Sequence, residues 1–338
     1  MPGGSYERYG LTGNPFRDLT SDSLEDIEVF HVDLQIDESL NTIKDEVLEK
    51  ENKALVALVG SLGTGKTHRL RLAQAQAKDR GAYCVYLDVP EKAGLTMPLL
   101  AHEFQAAKNL KGFAKIFNPP AWYRQLTALE KSKDGKYDPG QAGHVLAAAL
   151  NMNAPSFLLL NDLQNVAKMP DSDLFVKALQ ELGDELKPGA LVMFGCTPSF
   201  LVTLGANYPA LSSRINRTFL LPTLSIDEAA LLLAKKLLAK RIVQNLDPLY
   251  PYDRDAAAAL NSAAQANPRR LVELADRALE YAVEHRAYRV DADTVAAAIP
   301  PTTTLDTSGA VPKILPQAPP SLASLPATPE IRAKASPR

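Results

Sequence analysis

The stretch that decides the fold is ALVALVGSLGTGKTHRL, residues 54–70. It begins with six apolar residues, which is typical of a strand that is buried on both faces. The octapeptide GSLGTGKT, residues 60–67, follows and fills the pattern G-x-x-x-x-G-K-[ST] between this strand and a helix. Glycines in such a loop turn successive backbone N–H groups into one concavity, and the helix N-terminus adds partial positive charge. The stretch therefore predicts a binding site for the phosphates of a nucleotide.

Every residue of this loop is a candidate contact for that nucleotide. Lys66 would reach the β- and γ-phosphates, and the hydroxyl of Thr67 would be a ligand of Mg²⁺. The pattern thus implies a nucleotide and Mg²⁺ as the bound groups. The candidate nucleotide-binding residues of the loop are Gly60, Ser61, Leu62, Gly63, Thr64, Gly65, Lys66 and Thr67.

A second polar site follows the apolar run in SFLLLNDLQNV, residues 156–166. In phosphate-loop enzymes a carboxylate at this place assists the Mg²⁺ shell, and the next acid orients the attacking water. One alignment gives Asn161 the metal position and Asp162 the water position. The other alignment gives Asp162 the metal role and leaves Leu163 in place of the catalytic acid. A site of this second kind would bind nucleotide and hardly hydrolyse it. In the first alignment a neutral amide replaces a negatively charged side chain, so we expect weak metal affinity and slow turnover. The candidate metal-site residues are Thr67, Asn161 and Asp162.

Apolar runs of strand length also occur at 82–89, 157–160 and 191–195, with helical patterns between them. Strands that are apolar on both faces and alternate with helices indicate a parallel sheet covered by helices. The predicted fold class is therefore α/β, with a phosphate-loop parallel sheet.

The pattern changes after Leu221, where Ser225 and Glu228 have the spacing of a capping box and only helical patterns follow. We predict a nucleotide-binding α/β domain over 1–221, which includes an acidic helical element at 18–51, and an all-helical lid over 222–299. Residues 300–338 hold nine of the 25 prolines. This composition predicts a disordered tail, and an extended proline-rich segment is also a candidate docking site for a protein partner.

The composition excludes several classes of protein. The net charge is −2 and the pI is near 6.2, so no overall basic field attracts nucleic acid. Cys84 and Cys196 lie in apolar strand-like runs, which predicts reduced thiols. No secretory signal and no apolar segment of roughly 18 residues is visible, so the expectation is a cytoplasmic protein without membrane insertion. The five histidines lack the spacing of a zinc enzyme.

The sequence resembles a known family at several places in order. NDLQNV, residues 161–166, is similar to the D-E-A-Q-N-L signature of AAA+ ATPases related to the secretion ATPase ExeA and to TniB-type transposition ATPases. The segments that resemble the same group are YGLTGNPF at 9–16, ALSSRINRTFLLPTLSIDEA at 210–229, and the helical stretch at 267–299. The resemblance covers about residues 9–299, and Orc/Cdc6 initiators share the plan more distantly.

This resemblance implies further site residues. Thr197 matches the sensor-1 position, from which a polar side chain contacts the γ-phosphate. Arg214, or else Arg217, matches the arginine finger, which reaches the nucleotide of a neighbouring subunit and so implies a homo-oligomer. Arg269 matches sensor 2, which couples bound ATP to movement of the lid. The family has an acid where this chain has Asn161, which puts hydrolysis in question and leaves binding untouched.

The function that the resemblance implies is an ATPase that acts as a nucleotide-controlled assembly switch or motor. Three versions are compatible with the sequence. The first acts on DNA, as initiators and transposition ATPases do. The second is an ExeA-like ATPase that works with protein partners in envelope or secretion machinery, and the third is an ATP-binding scaffold with little hydrolysis.

Overall fold

The computed structural model describes residues 6–17, 27, 31–92, 94–108, 119–132, 135–242 and 247–299. Its centre is a sheet of five parallel strands in the order β2-β3-β4-β1-β5. The strands are β1 (Ala54–Val59), β2 (Tyr83–Asp88), β3 (Ser156–Asn161), β4 (Ala190–Cys196) and β5 (Arg217–Leu220). The predicted α/β class with a parallel sheet is confirmed.

Helices cover both faces of this sheet. The α/β part contains α1 (Gln35–Leu48), α2 (Lys66–Asp79), α3 (Thr96–Lys108), α4 (Ala121–Glu130), α5 (Pro139–Met152), α6 (Ser172–Glu185), α7 (Pro198–Asn207) and α8 (Pro209–Ser212). The later helices are α9 (Ile226–Ala239), α10 (Arg254–Ala263), α11 (Pro268–Glu284) and α12 (Ala292–Ala298). None of the helices in the described ranges is long and apolar enough to cross a membrane.

The three central strands are buried along their whole length, as their apolar runs predict. Strand β4 lies between β1 and β3 and pairs with both of them. All strands run in one direction, so the loops that follow β1, β2 and β3 meet at one edge of the sheet. This edge carries the candidate site.

Sequence reasoning missed β5. This strand has only four residues, and most of them are exposed. It pairs with β1 from Val56–Arg217 to Val59–Leu220 and extends the sheet beyond the strand that carries the glycine-rich loop. A short edge strand leaves no continuous apolar run, so the pattern that revealed the other strands is absent.

Two of the hydrophobic cores lie in the α/β part, on opposite faces of the sheet. A third core lies among α9, α10 and α11, and the N-terminal residues Tyr9, Leu11 and Phe16 pack into it. The capping box at the start of α9 is present: Ser225 N donates to Glu228 Oε2 at 2.7 Å, and Glu228 N donates to Ser225 Oγ at 3.2 Å. The division at residue 221 stays a prediction.

Two expectations fall partly or wholly outside the described residues. Most of the acidic segment before residue 31 and the proline-rich tail from Pro300 onward are among them. Both cysteine thiols are free, as predicted, and burial raises the pKa of Cys84 and of Cys196 to about 12.

Candidate nucleotide site

The glycine-rich loop between β1 and α2 forms a tight cradle. Gly63 and Gly65 have φ values of +80° and +95°, a region that glycine occupies without steric cost. A β-carbon at Gly60 would lie 2.4 Å from Thr64 Oγ1, so this position also requires glycine. The loop therefore has the close backbone approach that holding phosphate oxygens requires.

Lys66 is folded back into this cradle. Its side chain is buried, and Nζ donates to the carbonyl oxygens of Gly60 and Ser61 at 2.8 and 2.9 Å. Burial lowers the pKa of Lys66, and the negative charge of Asp162 partly opposes this effect. The loop carbonyls thus satisfy the ammonium group in this conformation, and a phosphate would have to replace them as its partner.

Thr67 and Asn161 meet at the carboxyl edge of the sheet. Thr67 Oγ1 donates to Asn161 Oδ1 at 3.2 Å, which joins the first turn of α2 to the end of β3. Leu163, two residues further on, is 1% exposed and packs in the core. Its side chain therefore does not face the space in which a reacting water would lie.

The amide of Asn161 lies between two carboxylates. Its Nδ2 donates to Asp88 Oδ1 at 2.8 Å and to Asp162 Oδ2 at 3.2 Å. Asp162 has the left-handed backbone conformation, with φ of +53°, and Gln164 Nε2 donates to its Oδ1 at 3.0 Å. The oxygens of Thr67, Asn161 and Asp162 form a donor set of the kind that Mg²⁺ prefers.

A cavity of about 570 Å³ adjoins the loop. Its polar lining comes from the loop from Leu62 to Thr67, from Asp162 and from Arg269. Its apolar lining includes Val32, Leu34 and Leu224. A phosphate cradle beside an apolar compartment fits a ligand with a charged end and a flat, weakly polar end, as a nucleotide has.

The N-terminus of α11 contacts the loop directly. Asn267 Nδ2 donates to Leu62 O at 2.8 Å, and Arg269 N donates to Gly63 O at 3.3 Å. The Arg269 side chain is largely exposed and lies 3.3 Å from Glu273 Oε1. The predicted sensor-2 residue therefore lines the same cavity as the loop.

A buried ion pair lies next to the loop, between α1 and the first turn of α2. Arg69 Nε and Nη2 donate to the two carboxylate oxygens of Asp37 at 2.9 and 2.6 Å, and both side chains are 5% exposed. The Nη1 atom of Arg69 lies 3.1 Å from the place where a β-carbon of Gly65 would be. This pair fixes α1 to the first turn of α2, and sequence reasoning gave neither residue a role.

Arg214 lies away from the cavity. Its guanidinium binds the carboxylate of Asp184 through Nε and Nη2, and Asn216 N donates to Leu55 O at 2.8 Å close by. Leu55 is at the amino end of β1, about 16 Å along the strand from Gly60. Arg214 is thus at the opposite end of the sheet from the loop of its own chain.

Thr197 directly follows β4, the strand between β1 and β3, so it lies at the same edge of the sheet as the loop. Its hydroxyl caps α7, accepting a hydrogen bond from Phe200 N at 3.3 Å, and lies 3.1 Å from Ser199 Oγ. Arg217, the alternative arginine finger, is exposed on β5. Among the described residues, Lys66, Thr67, Asn161, Asp162 and Arg269 come together, and Thr197 lies at the same sheet edge. Arg214 and Arg217 lie toward the amino ends of the strands.

Comparison with solved structures agrees with this architecture. The chain is similar to the ORC2 protein of Aeropyrum pernix, solved as ADPNP-ADP complexes, with 13% identity, a TM-score of 0.54, and coverage of 80% of this chain and 70% of that one. It is similar to Cdc6p of Pyrobaculum aerophilum with 17% identity, a TM-score of 0.54, and coverage of 81% and 70%. The fold is that of the Orc/Cdc6-type AAA+ proteins.

The AAA+ fold is also shared with the ORC1 protein of A. pernix, solved in complex with DNA, at 16% identity, a TM-score of 0.52, and coverage of 80% of this chain and 68% of that one. No family model and no curated protein matches the sequence. Identities at this level establish the AAA+ fold alone. The more specific resemblance to ExeA and TniB stays a prediction.

Proposed function

We propose that this chain binds Mg-ATP in the cavity at the carboxyl edge of the sheet and hydrolyses it as part of a homo-oligomer. The observation that carries the proposal is the junction of Thr67 with Asn161 and Asp162 beside the glycine cradle. Pro268 and Arg269 of α11 line the same cavity and Asn267 donates to the loop, so a nucleotide would contact both the sheet and the helical part. ATP binding would therefore change how these two parts are held together.

The loop residues carry the binding step. Backbone N–H groups between Gly60 and Thr67 hold phosphate oxygens, and Lys66 exchanges its two carbonyl partners for the β- and γ-phosphates. Thr67, Asn161 and Asp162 provide the oxygen ligands for Mg²⁺ or for its water molecules. When bound, Mg²⁺ supplies positive charge that neutralises the phosphate oxygens.

Asp162 is the residue that we assign to orienting the attacking water. The burial of Leu163 supports this assignment, because an alignment that puts Leu163 at the water position leaves no side chain there. Asn161 then takes the metal position and contributes an oxygen without a negative charge. Slow turnover by the isolated chain follows from this difference.

Arg214 completes the site from a neighbouring subunit. The length of β1 separates it from the loop of its own chain, so only an arrangement with a second copy brings it near a γ-phosphate. In this proposal the ion pair with Asp184 holds the guanidinium at the surface until assembly. Hydrolysis therefore depends on assembly, which is the property of a switch.

We further propose that the assembled form acts on DNA. Support comes from the shared fold with the ORC1 protein of A. pernix, whose structure contains DNA. The alternative is an ATPase that works through protein partners, as the resemblance to ExeA implies. The two proposals differ in whether duplex DNA changes the rate of hydrolysis.

The test is steady-state phosphate release with Mg-ATP over a range of protein concentrations, with and without duplex DNA. We expect a rate per subunit that rises with protein concentration and rises further with DNA, and no release by Lys66→Ala. A rate of phosphate release that rises with protein concentration and is the same with and without DNA favours the protein-partner version. A rate that stays near zero at every concentration, with ATP bound, overturns the assembly-ATPase proposal in favour of the binding scaffold.

A further inference from the structure

The unusual residue of the site, Asn161, has a side chain with two different ends. Only Oδ1 can accept the hydroxyl proton of Thr67 or face a cation, whereas Nδ2 can only donate. A site that uses Asn161 toward Mg²⁺ therefore needs something that keeps the amide in one orientation. An aspartate at this position would need no such control, because its two oxygens are equivalent.

Two carboxylates control this orientation. Asp88 Oδ1 lies 2.8 Å and Asp162 Oδ2 lies 3.2 Å from Asn161 Nδ2. Ionised carboxylates accept hydrogen bonds and cannot donate them, so a rotated amide would place its oxygen against two acceptors. The longer contact is with Asp162, the residue assigned to the reacting water. Asp88 is the partner that has no other role in the site.

Asp88 is held in place from its other side. Tyr86 OH donates to Asp88 Oδ1 at 2.7 Å, and Arg71 Nη2 donates to Asp88 Oδ2 at 3.0 Å. The Arg71 guanidinium carbon lies 3.6 Å from the centre of the Tyr86 ring, which fixes the arginine as well. The carboxylate therefore has a defined position, although its side chain is about half exposed.

The sheet brings the two residues together. Strands β2 and β3 are neighbours, and Asp88 is in register with Asn161 at the last pair of this ladder. Gly195 on β4 lies on the other side, where an added β-carbon would be 3.4 Å from Asn161 Oδ1. The absence of a side chain at Gly195 leaves room for the oxygen, and the carboxylate of Asp88 attracts the nitrogen.

We propose that Asp88 is a positioning residue for the nucleotide-bound metal: it orients Asn161 so that Oδ1 faces Thr67 and Mg²⁺. Asp88 thus brings a negative charge close to the end of β3, where the chain has an amide in place of an acid. This inference rests on the proposed function, because it assigns Asp88 a role within the proposed Mg-ATP site.

The test is a double-mutant cycle on Mg²⁺ dependence. Four proteins are compared: the native chain, Asp88→Asn, Asn161→Asp and the double variant. Binding of a fluorescent ATP analogue is titrated in EDTA and at increasing Mg²⁺, and the Mg²⁺ concentration for half-maximal effect is determined. Asp79→Asn, the same substitution at an exposed position of α2, is the matched control.

We expect Asp88→Asn to raise the half-maximal Mg²⁺ concentration by roughly tenfold, since outer-shell partners of metal ligands contribute about that much to metal affinity. Binding in EDTA should be unchanged, because the loop itself is intact. In the Asn161→Asp background the same substitution should not raise the half-maximal Mg²⁺ concentration, because a carboxylate at 161 has no orientation to lose and Asp88 is only a like charge beside it. A non-additive cycle of this kind is a result that a purely structural role of Asp88 would not produce.

Equal effects of Asp88→Asn in both backgrounds, or no effect in the native background, overturn the inference and leave the proposed function standing. Failure of the native chain to bind the analogue in EDTA and in Mg²⁺ overturns the proposed function and this inference with it. Thermal unfolding of each variant without nucleotide checks the fold, and Asp88→Asn keeps the size of the side chain.

Discussion

Asn267 Nδ2 donates a hydrogen bond of 2.8 Å to the carbonyl oxygen of Leu62, so the start of α11 rests on the phosphate loop. The same side chain caps α11, because its Oδ1 accepts from Arg270 N at 3.2 Å. One residue thus caps the first turn of α11 in the helical part and holds the loop of the α/β part. A loop that changes shape when phosphate binds would transmit this change to α11 through Asn267.

Replacing Asn267 by Asp separates these two functions. A carboxylate still accepts the hydrogen bond of the helix cap, but it cannot donate to Leu62. We expect weaker ATP binding and faster amide hydrogen exchange in residues 60–67, with the stability of α11 maintained. Asn267→Ala should add a loss of about 1 kcal/mol in the free energy of unfolding, because the cap is lost as well. Unchanged exchange in the loop of the Asp variant would argue against this coupling.

The position of Arg214 predicts complementation between two inactive variants. Lys66→Ala lacks phosphate binding and Arg214→Ala lacks the arginine that the neighbour supplies, so each alone should release little phosphate. A mixture contains interfaces that combine an intact loop with an intact Arg214, and we expect activity to return in part. The control is a mixture of Arg217→Ala with Lys66→Ala. The Arg217→Ala variant should already be active before it is mixed. No recovery in the first mixture would show that Arg214 does not act in trans.

Asn161→Asp should accelerate hydrolysis in the assembled state. A carboxylate at this position gives the metal site a negative charge that the amide lacks, and the contact with Thr67 is retained. The measurement is phosphate release at saturating Mg²⁺ and at a protein concentration where the native rate per subunit has reached its plateau. An unchanged rate there would mean that Asn161 is not at the metal position. The nearby Asp88 and Asp162 carboxylates should make this variant depend more strongly on Mg²⁺ for stability.

The Asp37–Arg69 pair predicts a stability effect at low pH. Burial alone would raise the pKa of Asp37, but the hydrogen bonds and the charge of Arg69 outweigh it and lower the pKa. A carboxyl group with a depressed pKa contributes stability above its unfolded pKa of about 3.9 and loses it as the pH falls through the lower folded value. Asp37→Asn should therefore reduce the dependence of unfolding free energy on pH below about pH 4.

At neutral pH the same variant should be destabilised by about 3 kcal/mol, because removing one partner leaves the buried Arg69 charge uncompensated. Chemical denaturation at pH 7 and at pH 3.5 measures both effects. Asp173→Asn, at an exposed carboxylate of α6, is the control and should change the free energy of unfolding by less than about 1 kcal/mol. A similar loss in both variants would mean that the buried pair has no special role.

The sequence predicted those parts of the molecule whose signals are local. The strand, loop and helix around Lys66 and the end of β3 at Asn161 are continuous stretches, and their patterns are visible without knowledge of the fold. Asp88 lies within the apolar run at 82–89, and sequence reasoning assigned it no role. Its role depends on β2 lying next to β3, which is a property of the sheet order and not of either strand.

The remaining contacts join residues that are far apart in sequence. Asp37 and Arg69 are separated by 32 positions, and Asn267 and Leu62 by 205. No periodicity or motif connects such pairs, so only the folded chain reveals them. Thr197 is a different case: its role at sensor 1 stays a prediction, and in this structure its hydroxyl caps α7.

The N-terminal segment has a consequence for how the chain is made. Tyr9 OH donates to the carbonyl oxygens of Ala287 at 2.7 Å and Ala282 at 3.1 Å, and Thr12 N donates to Lys240 O at 2.8 Å. Domains generally fold during synthesis from the N-terminus onward. This N-terminal segment binds a surface that is complete only once residue 287 has been added. The sheet can assemble before then, but the segment that precedes it must remain undocked until residue 287 has been made.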